Sequence, residues 1–327
     1  MGYLRSPHFP GRQTRAAPMP DWRPYAGDAE PHAVALPPAP PWRRFDAEPA
    51  GVTFRPTAEM VEAVNAAMLL RRPLLLTGPP GSGKSSLVES VARELRLGTV
   101  LRWHVTSRST LEDALYRYDA IARLQDHTLA KEKNEELSPI GKYLRLGPLG
   151  TALLSSNRPR ALLIDEIDKG DIDLPNDLLN VFERGEFEIP ELVRHATREV
   201  EVREHGSDRV ATVIDGRVQC QEFPFVVLTS NGERDFPAAF LRRCIRLRMP
   251  DPTPELLTAI VRAHLGDKVA EEVDGLITDF AARAQRGRGH ATDQLMNAVH
   301  IVMHLPDDEE RARMVELLLK ELSTDLR

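Results

Sequence analysis

The chain has 327 residues, 42% of them hydrophobic and 28% charged, enough for a large core and for two folded units behind a tail. A formal net charge of −6 supplies no overall basic field to draw it to DNA, RNA or anionic lipid, although a local basic patch stays open. Cys220 and Cys244 lack metal-ligand spacing and give no disulfide framework, no apolar run approaches the ~20 residues of a membrane helix, and the first residues lack a signal-peptide core, so a cytoplasmic setting is expected.

Residues 1–50 are dense in proline around Pro37-Pro38-Ala39-Pro40-Pro41 and predict an extended, partly disordered arm. Its Trp22, Tyr25, Trp42 and Phe45 leave open the alternative that it packs on the rest of the chain or on a neighbour. From Thr57, a plausible N-cap after Pro56, the residues Met60, Val61, Val64, Met68 and Leu69 recur at helical spacing. Apolar strands are then expected at Pro73–Thr77, Thr99–Val105, Ala161–Asp165 and Phe223–Thr229, with a shorter fifth at Ile245–Leu247. Strands of this kind alternating with helices predict an α/β unit whose parallel sheet is buried on both faces.

About 55 residues separate the second strand from the third, where a crossover requires only about a dozen, so an insertion is expected. Within it Leu111–Leu124 reads as a helix with Leu115, Tyr118, Ile121 and Leu124 on one stripe, followed by the solvated charge run Lys131–Glu136. Between Glu186 and Gln221, alternating Val200, Val202, Val210 and Val213 around Gly206-Ser207-Asp208 and Asp215-Gly216 predict β-hairpins. A short helical piece, Pro237–Leu241, precedes the fifth strand. Beyond Pro250-Asp251-Pro252 the pattern predicts helices at Pro254–Leu265, Ala270–Gln285, Thr292–His304 and Asp308–Leu322. The expected division is therefore an arm over 1–50, an α/β domain over 51–250 and an all-α lid over 251–327.

The residues Gly78-Pro79-Pro80-Gly81-Ser82-Gly83-Lys84-Ser85 stand between an apolar strand and a helical stretch opening at Ser86. This is the strand–loop–helix setting of a phosphate cradle, in which glycines let successive N–H groups turn toward phosphate oxygens at the positive end of the helix. Gly78 through Ser86 are thus the expected nucleotide contacts, with Lys84 on the β- and γ-phosphates and the Ser85 hydroxyl on Mg²⁺.

The strand Ala161–Asp165 ends in Asp165-Glu166, and ligands sit at the carboxyl ends of parallel strands. Asp165 there can hold Mg²⁺ and Glu166 can polarise an attacking water, which favours hydrolysis over transfer to a second substrate. Asp168 reads as structural or as support for these carboxylates. The fourth strand ends in Ser230-Asn231-Gly232, where the neutral amide of Asn231 can bond a γ-phosphate or orient water. Arg242-Arg243 are either solvated charges or an arginine finger reaching a neighbouring subunit's γ-phosphate.

In their order, Gly78–Ser85, Leu163-Ile164-Asp165-Glu166-Ile167-Asp168, Thr229-Ser230-Asn231 and Leu241-Arg242-Arg243-Cys244 ahead of helices, these motifs resemble AAA+ ATPases. Within them the chain looks like the MoxR family, through its insertions and through Thr106-Ser107-Arg108-Ser109-Thr110, Arg117-Tyr118-Asp119 and Asp173–Leu179. The resemblance covers roughly residues 50–327 and implies a five-stranded sheet of order 5-1-4-3-2 with a helical insertion and β-hairpin, then an all-α lid. It implies ATP and Mg²⁺ as ligands, Lys84 and Ser85 on them, Asp165 on the metal, Glu166 as catalytic base, Asn231 as sensor 1, and Arg243 as finger with Arg242 second. A sensor 2 arginine is missing from Arg286-Gly287-Arg288-Gly289-His290-Ala291-Thr292-Asp293-Gln294; His290 falls closest to its place and Arg288 is the alternative.

The resemblance further implies a homo-oligomeric ring, a hexamer favoured, with no membrane attachment, acting on a protein client or an adaptor that carries a von Willebrand factor A domain. It would set Leu111–Pro139 near the pore. Two other classes stay open: a nucleic-acid motor or loader, for which Arg102-Trp103-His104, Arg108 and Arg117-Tyr118 are the candidate contacts, and a signalling switch whose output is ATP binding.

Overall fold

The structure is a computed structural model that describes residues 39–43, 54–250, 253–285 and 292–304, with 313, 314 and 317. Among these the strands, in chain order, are β1 (Leu74–Thr77), β2 (Leu101–His104), β3 (Tyr116–Tyr118), β4 (Leu144–Leu146), β5 (Ala161–Asp165) and β6 (Glu186–Glu188). They continue with β7 (Glu199–Arg203), β8 (Val210–Ile214), β9 (Arg217–Gln219), β10 (Phe225–Ser230) and β11 (Ile245–Arg248).

The central sheet has the order β11-β1-β10-β5-β2, with every pair parallel. This is the expected 5-1-4-3-2 arrangement of an AAA+ P-loop fold. Its apolar strands divide by parity between two cores. Leu75, Leu162, Ile164, Val226 and Leu228 enter one, and Leu74, Leu76, Leu163, Phe225 and Val227 the other. The second core is closed by Met60, Val64 and Ala67 from the helix Ala58–Leu70 and by Leu87, Val88 and Ala92 from Lys84–Glu94. Thr57 caps the first of these, its hydroxyl accepting from the Met60 N–H at 3.3 Å.

The two insertions meet in one second sheet, β3-β4-β7-β8-β9-β6, which packs Tyr116, Val200, Val202, Val213 and Val218 on the first core. This corrects the single helix expected at Leu111–Leu124. The helix Leu111–Leu115 stops, β3 pairs antiparallel with β4, and a new helix, Ala120–Lys133, starts where the Asp119 carboxylate accepts from the Ala122 N–H at 2.8 Å. Ile121 and Leu124 are 72% and 68% exposed, so the stripe is not a core face. Strand pairing with β4 outweighs the local helical period, because it buries Tyr116 and satisfies the backbone in one move.

The helices Pro254–Leu265, Asp267–Glu272, Asp274–Gln285 and Thr292–His304 share their own apolar cluster of Leu257, Val261, Ile277, Phe280, Leu295 and Val299. The expected helix Ala270–Gln285 is therefore two helices broken at Val273, and Asp308–Leu322 lies outside the described residues. Trp42, from the proline-rich arm, packs edge-on to His264 and His300 on these helices and donates its indole N–H to Asn297 Oδ1 at 3.1 Å. Trp22, Tyr25 and Phe45 lie outside the described residues.

Candidate functional site

Register brings the strand ends together: Thr77 of β1 is opposite Ser230 of β10, Leu228 opposite Ile164 of β5, and Asp165 opposite His104 of β2. Everything that follows a carboxyl end therefore lands on one rim. The loop Gly78–Gly83 leaves β1 there, tied back by the Gly78 N–H to the Ser230 carbonyl at 3.2 Å.

Gly83 ends the loop at φ 86°, a left-handed conformation that admits the helix Lys84–Glu94 at once. A Cβ there would also stand 3.0 Å from the ring of Phe54, so glycine is required twice. Ser82 Oγ is buried with no hydrogen-bond partner among the described residues, and an orphaned hydroxyl in this loop is a group that a phosphate oxygen would satisfy. Pro79, Pro80, Gly81, Ser85 and Ser86 complete the loop and first helical turn, half-buried or exposed.

Lys84 is buried, and its ammonium donates to the carbonyls of Gly78 at 2.8 Å and Pro79 at 3.0 Å and to Oδ1 of Asn231 at 2.9 Å. Burial holds its pKa below the ordinary lysine value, against the upward pull of Asp165, Asp168 and Glu166.

Thr229 joins the two carboxylates of the β5 tip. Its hydroxyl donates to Asp165 Oδ1 at 2.6 Å and accepts from the Glu166 N–H at 2.9 Å. Glu166 sits at φ 58°, a conformation rare for a non-glycine residue. Its Oε1 meets Lys169 Nζ at 2.8 Å and the Asn231 Nδ2 at 3.4 Å, while His104 Nε2 lies 3.5 Å from Oε2. The other ring nitrogen of His104 is 3.9 Å from Asp165.

Beneath this group, buried Asp168 gathers the β10 tip: its Oδ2 accepts from the Ser230 hydroxyl at 2.9 Å, the Asn231 N–H at 3.0 Å and the Glu233 N–H at 3.1 Å. A carboxylate so placed fixes where Asn231 points.

Arg242 and Arg243 do not join the rim. They close the helix Ala238–Arg243 ahead of β11, whose first residue, Ile245, is opposite Leu74, so they stand at the amino end of the sheet while the phosphate loop stands at its carboxyl end. Arg243 pairs with Glu183, and Arg242 Nε donates to the Ala238 carbonyl at 3.2 Å. His290 and Arg288 lie outside the described residues.

Thr229, Lys169 and His104 were not singled out for this site from the sequence. A polar residue closing the apolar run of β10 is the available signal for Thr229; His104 and Lys169 carry none until the pairing of β2 with β5 and the turn after Glu166 are known. Of the residues considered for nucleic acid, Trp103 is 7% exposed and Arg102 pairs with Glu89, so neither offers a stacking face or a free cation.

No three His, Cys, Asp or Glu side chains among the described residues form a metal-binding group. One carboxylate, one hydroxyl and phosphate oxygens are what Mg²⁺ accepts at a phosphate-transfer site, and Asp165 with Ser85 matches that sparse set. No helix among the described residues is long and apolar enough to cross a membrane.

A family model described as AAA domain (dynein-related subfamily) matches residues 73–244. No curated protein sequence matches the chain. Among solved structures the chain is similar to the Thermotoga maritima RuvB Holliday junction branch migration motor, at 14% identity and a TM-score of 0.41, covering 82% of this chain and 70% of that one. Two further forms of Thermotoga maritima RuvB align at 16% identity with TM-scores of 0.42 and 0.39, each over 82% of this chain and over 70% and 71% of their own.

Proposed function

This chain belongs to the AAA domain family, dynein-related subfamily, and on that premise we propose that it is an oligomeric, Mg²⁺-dependent ATPase of MoxR type that remodels or assembles a partner protein. The observation that carries the reading is the position of Asn231, whose amide oxygen faces Lys84 and whose amide nitrogen faces Glu166. One neutral side chain thus spans the phosphate loop and the candidate base.

In this reading the Gly78–Ser86 backbone and the Lys84 ammonium bind the ATP phosphates, with Lys84 exchanging its carbonyl partners for phosphate oxygens. Ser85 and Asp165 would hold Mg²⁺, which offsets phosphate charge. Glu166 accepts a proton from the attacking water at a carboxylate oxygen, and Lys169, His104 and Asn231 hold that carboxylate in place. Thr229 keeps Asp165 and Glu166 at a fixed separation.

Arg243, with Arg242 second, acts on the nucleotide of a neighbouring subunit, since both stand at the sheet end remote from their own phosphate loop. That requires a homo-oligomeric ring, and a hexamer is the form proposed. His290 takes the sensor 2 place in this reading. The proposed division is an arm over 1–50, an ATP-binding domain over 51–250 and a helical lid over 251–327, with a protein client or a von Willebrand factor A adaptor as partner.

The test uses the full chain with Glu166→Gln as an ATP-locked trap in the native cell. Expected is a protein retained with ATP and absent when Lys84→Ala is the bait. A monomer in ATP by light scattering, together with no nucleotide-dependent capture, would remove the remodelling reading.

A further inference from the structure

The second sheet carries a row of like charges that its own packing does not call for. Arg117 of β3 is directly opposite Arg145 of β4, and Arg145 is opposite Arg203 of β7. Residues opposite one another in a ladder share a face, so three guanidinium groups cross the sheet at the ~5 Å spacing of adjacent strands. The alternate residues Tyr116, Leu144, Leu146 and Val202 are buried, and the arginines lie on the outer face, all exposed. Like charges directly opposite each other weaken a sheet.

The chain offsets this charge only at its ends. Arg117 Nε is 3.4 Å from Asp113, and Arg203 Nη1 is 3.8 Å from a fully exposed Asp208. Arg145, between them, has no ion pair among the described residues, while nearby Lys142 and Arg123 are engaged by Asp126 and the Tyr118 hydroxyl. Half-buried His205 sits beside the row; burial first, then Arg145 and Arg117, hold its pKa below the ordinary histidine value, so it adds no charge near neutrality.

The row runs along a groove of about 1530 Å³ that is also lined by Ile121, Leu137 and Val210, which are 72%, 57% and 55% exposed. Glu199 and Glu201 line the same groove on the same outer face of β7, four and two positions from Arg203, so the carboxylates stand to one side of the row and leave its other side to the arginines.

We propose that this face docks an acidic, apolar-studded extended segment of a partner polypeptide, its carboxylates on Arg117, Arg145 and Arg203 and its apolar side chains on Ile121, Leu137 and Val210. Carboxylates match the bidentate geometry of guanidinium, and exposed aliphatic side chains suit a peptide. Single-stranded nucleic acid would need aromatic platforms, whereas the groove's Tyr118 is half-buried with its hydroxyl engaged by Arg123. The inference rests on the remodelling reading only in naming the segment's owner a client; binding itself requires no hydrolysis.

The experiment is fluorescence anisotropy on the full chain with a labelled peptide of alternating Glu and Leu, about a dozen residues long and so ~40 Å extended. A labelled oligothymidylate of matching length is the second probe. Expected is peptide binding that weakens roughly tenfold in Arg145→Glu and in Arg117→Gln/Arg145→Gln, and holds in Arg158→Gln on another surface. Removing like-charge contact leaves the melting temperature of Arg117→Gln/Arg145→Gln equal or higher, which guards against misfolding as the cause. Equal peptide affinity in Arg145→Glu, or oligothymidylate binding tighter than the peptide, overturns the proposal. ATP hydrolysis measured on the same samples separates the two readings: retained turnover without peptide binding defeats the docking surface alone, and peptide binding without turnover defeats the ATPase alone.

Discussion

Lys84 donates a hydrogen bond to Oδ1 of Asn231 at 2.9 Å, joining the phosphate loop to the tip of β10 across 147 positions of chain. The same amide presents Nδ2 to Glu166, so its orientation is dictated by a cation on one side and a carboxylate on the other. In the proposed mechanism, Lys84 exchanges its carbonyl partners for phosphate oxygens while Asn231 keeps its amide nitrogen on Glu166.

Lys84→Met should abolish binding of a fluorescent ATP analogue and also change how stability depends on pH. Burial depresses the folded-state pKa of Lys84 below 10.5. Between that depressed value and 10.5 the unfolded chain binds more protons than the folded one, so this group makes stability rise with pH across the window. Across that window, as pH rises toward 10.5, melting temperatures should therefore climb less, or fall more, in Lys84→Met than in the parent. Parallel curves would show that the buried ammonium is not strained.

Thr229→Val keeps the shape of the side chain and removes the hydroxyl between Asp165 and Glu166. We expect kcat to fall about 10- to 100-fold with nucleotide affinity little changed, and Thr229→Ser to recover most of it. Loss of affinity equal to the loss of kcat would place Thr229 in binding instead.

Asp168→Ala leaves the Ser230 hydroxyl and the Asn231 and Glu233 N–H groups without their acceptor. The expected loss is about 3 kcal/mol in urea unfolding, with Asp168→Asn intermediate because it keeps one acceptor oxygen. A loss under about 1 kcal/mol would mean that water replaces the carboxylate.

Arg243→Ala should lose hydrolysis while retaining ATP binding, and mixing it with Glu166→Gln subunits should recover part of the turnover. Demonstrably mixed assemblies with no recovery would end its role in trans. Glu183→Gln provides a second reading of the same arginine, since it frees the guanidinium that Glu183 now holds.

The central sheet was legible because β1, β5 and β10 are apolar at successive positions, which suits strands covered on both faces, and the structure returns that sheet in the expected order with the alternating β2 and β11 at its edges. The glycine loop was legible because its backbone angles leave few residue types permitted. The helical period over Leu111–Leu124 hides β3 because β3 is three residues long, too short to interrupt it, and its partner β4 is 26 positions away even at the closest pair, Tyr118 and Leu144, a contact that no local pattern records.

The sequence by itself determined the covalent order of a phosphate loop, an acidic strand tip and an amide-bearing strand tip, and the burial pattern that makes one parallel sheet of them. Tertiary structure alone decided which of these side chains touch. Thr229 between two carboxylates, Asp168 under Asn231 and three arginines in one cross-strand row all depend on register between segments distant in the chain. Register is set by the sum of packing across both cores, so it becomes definite only when the whole sheet has formed.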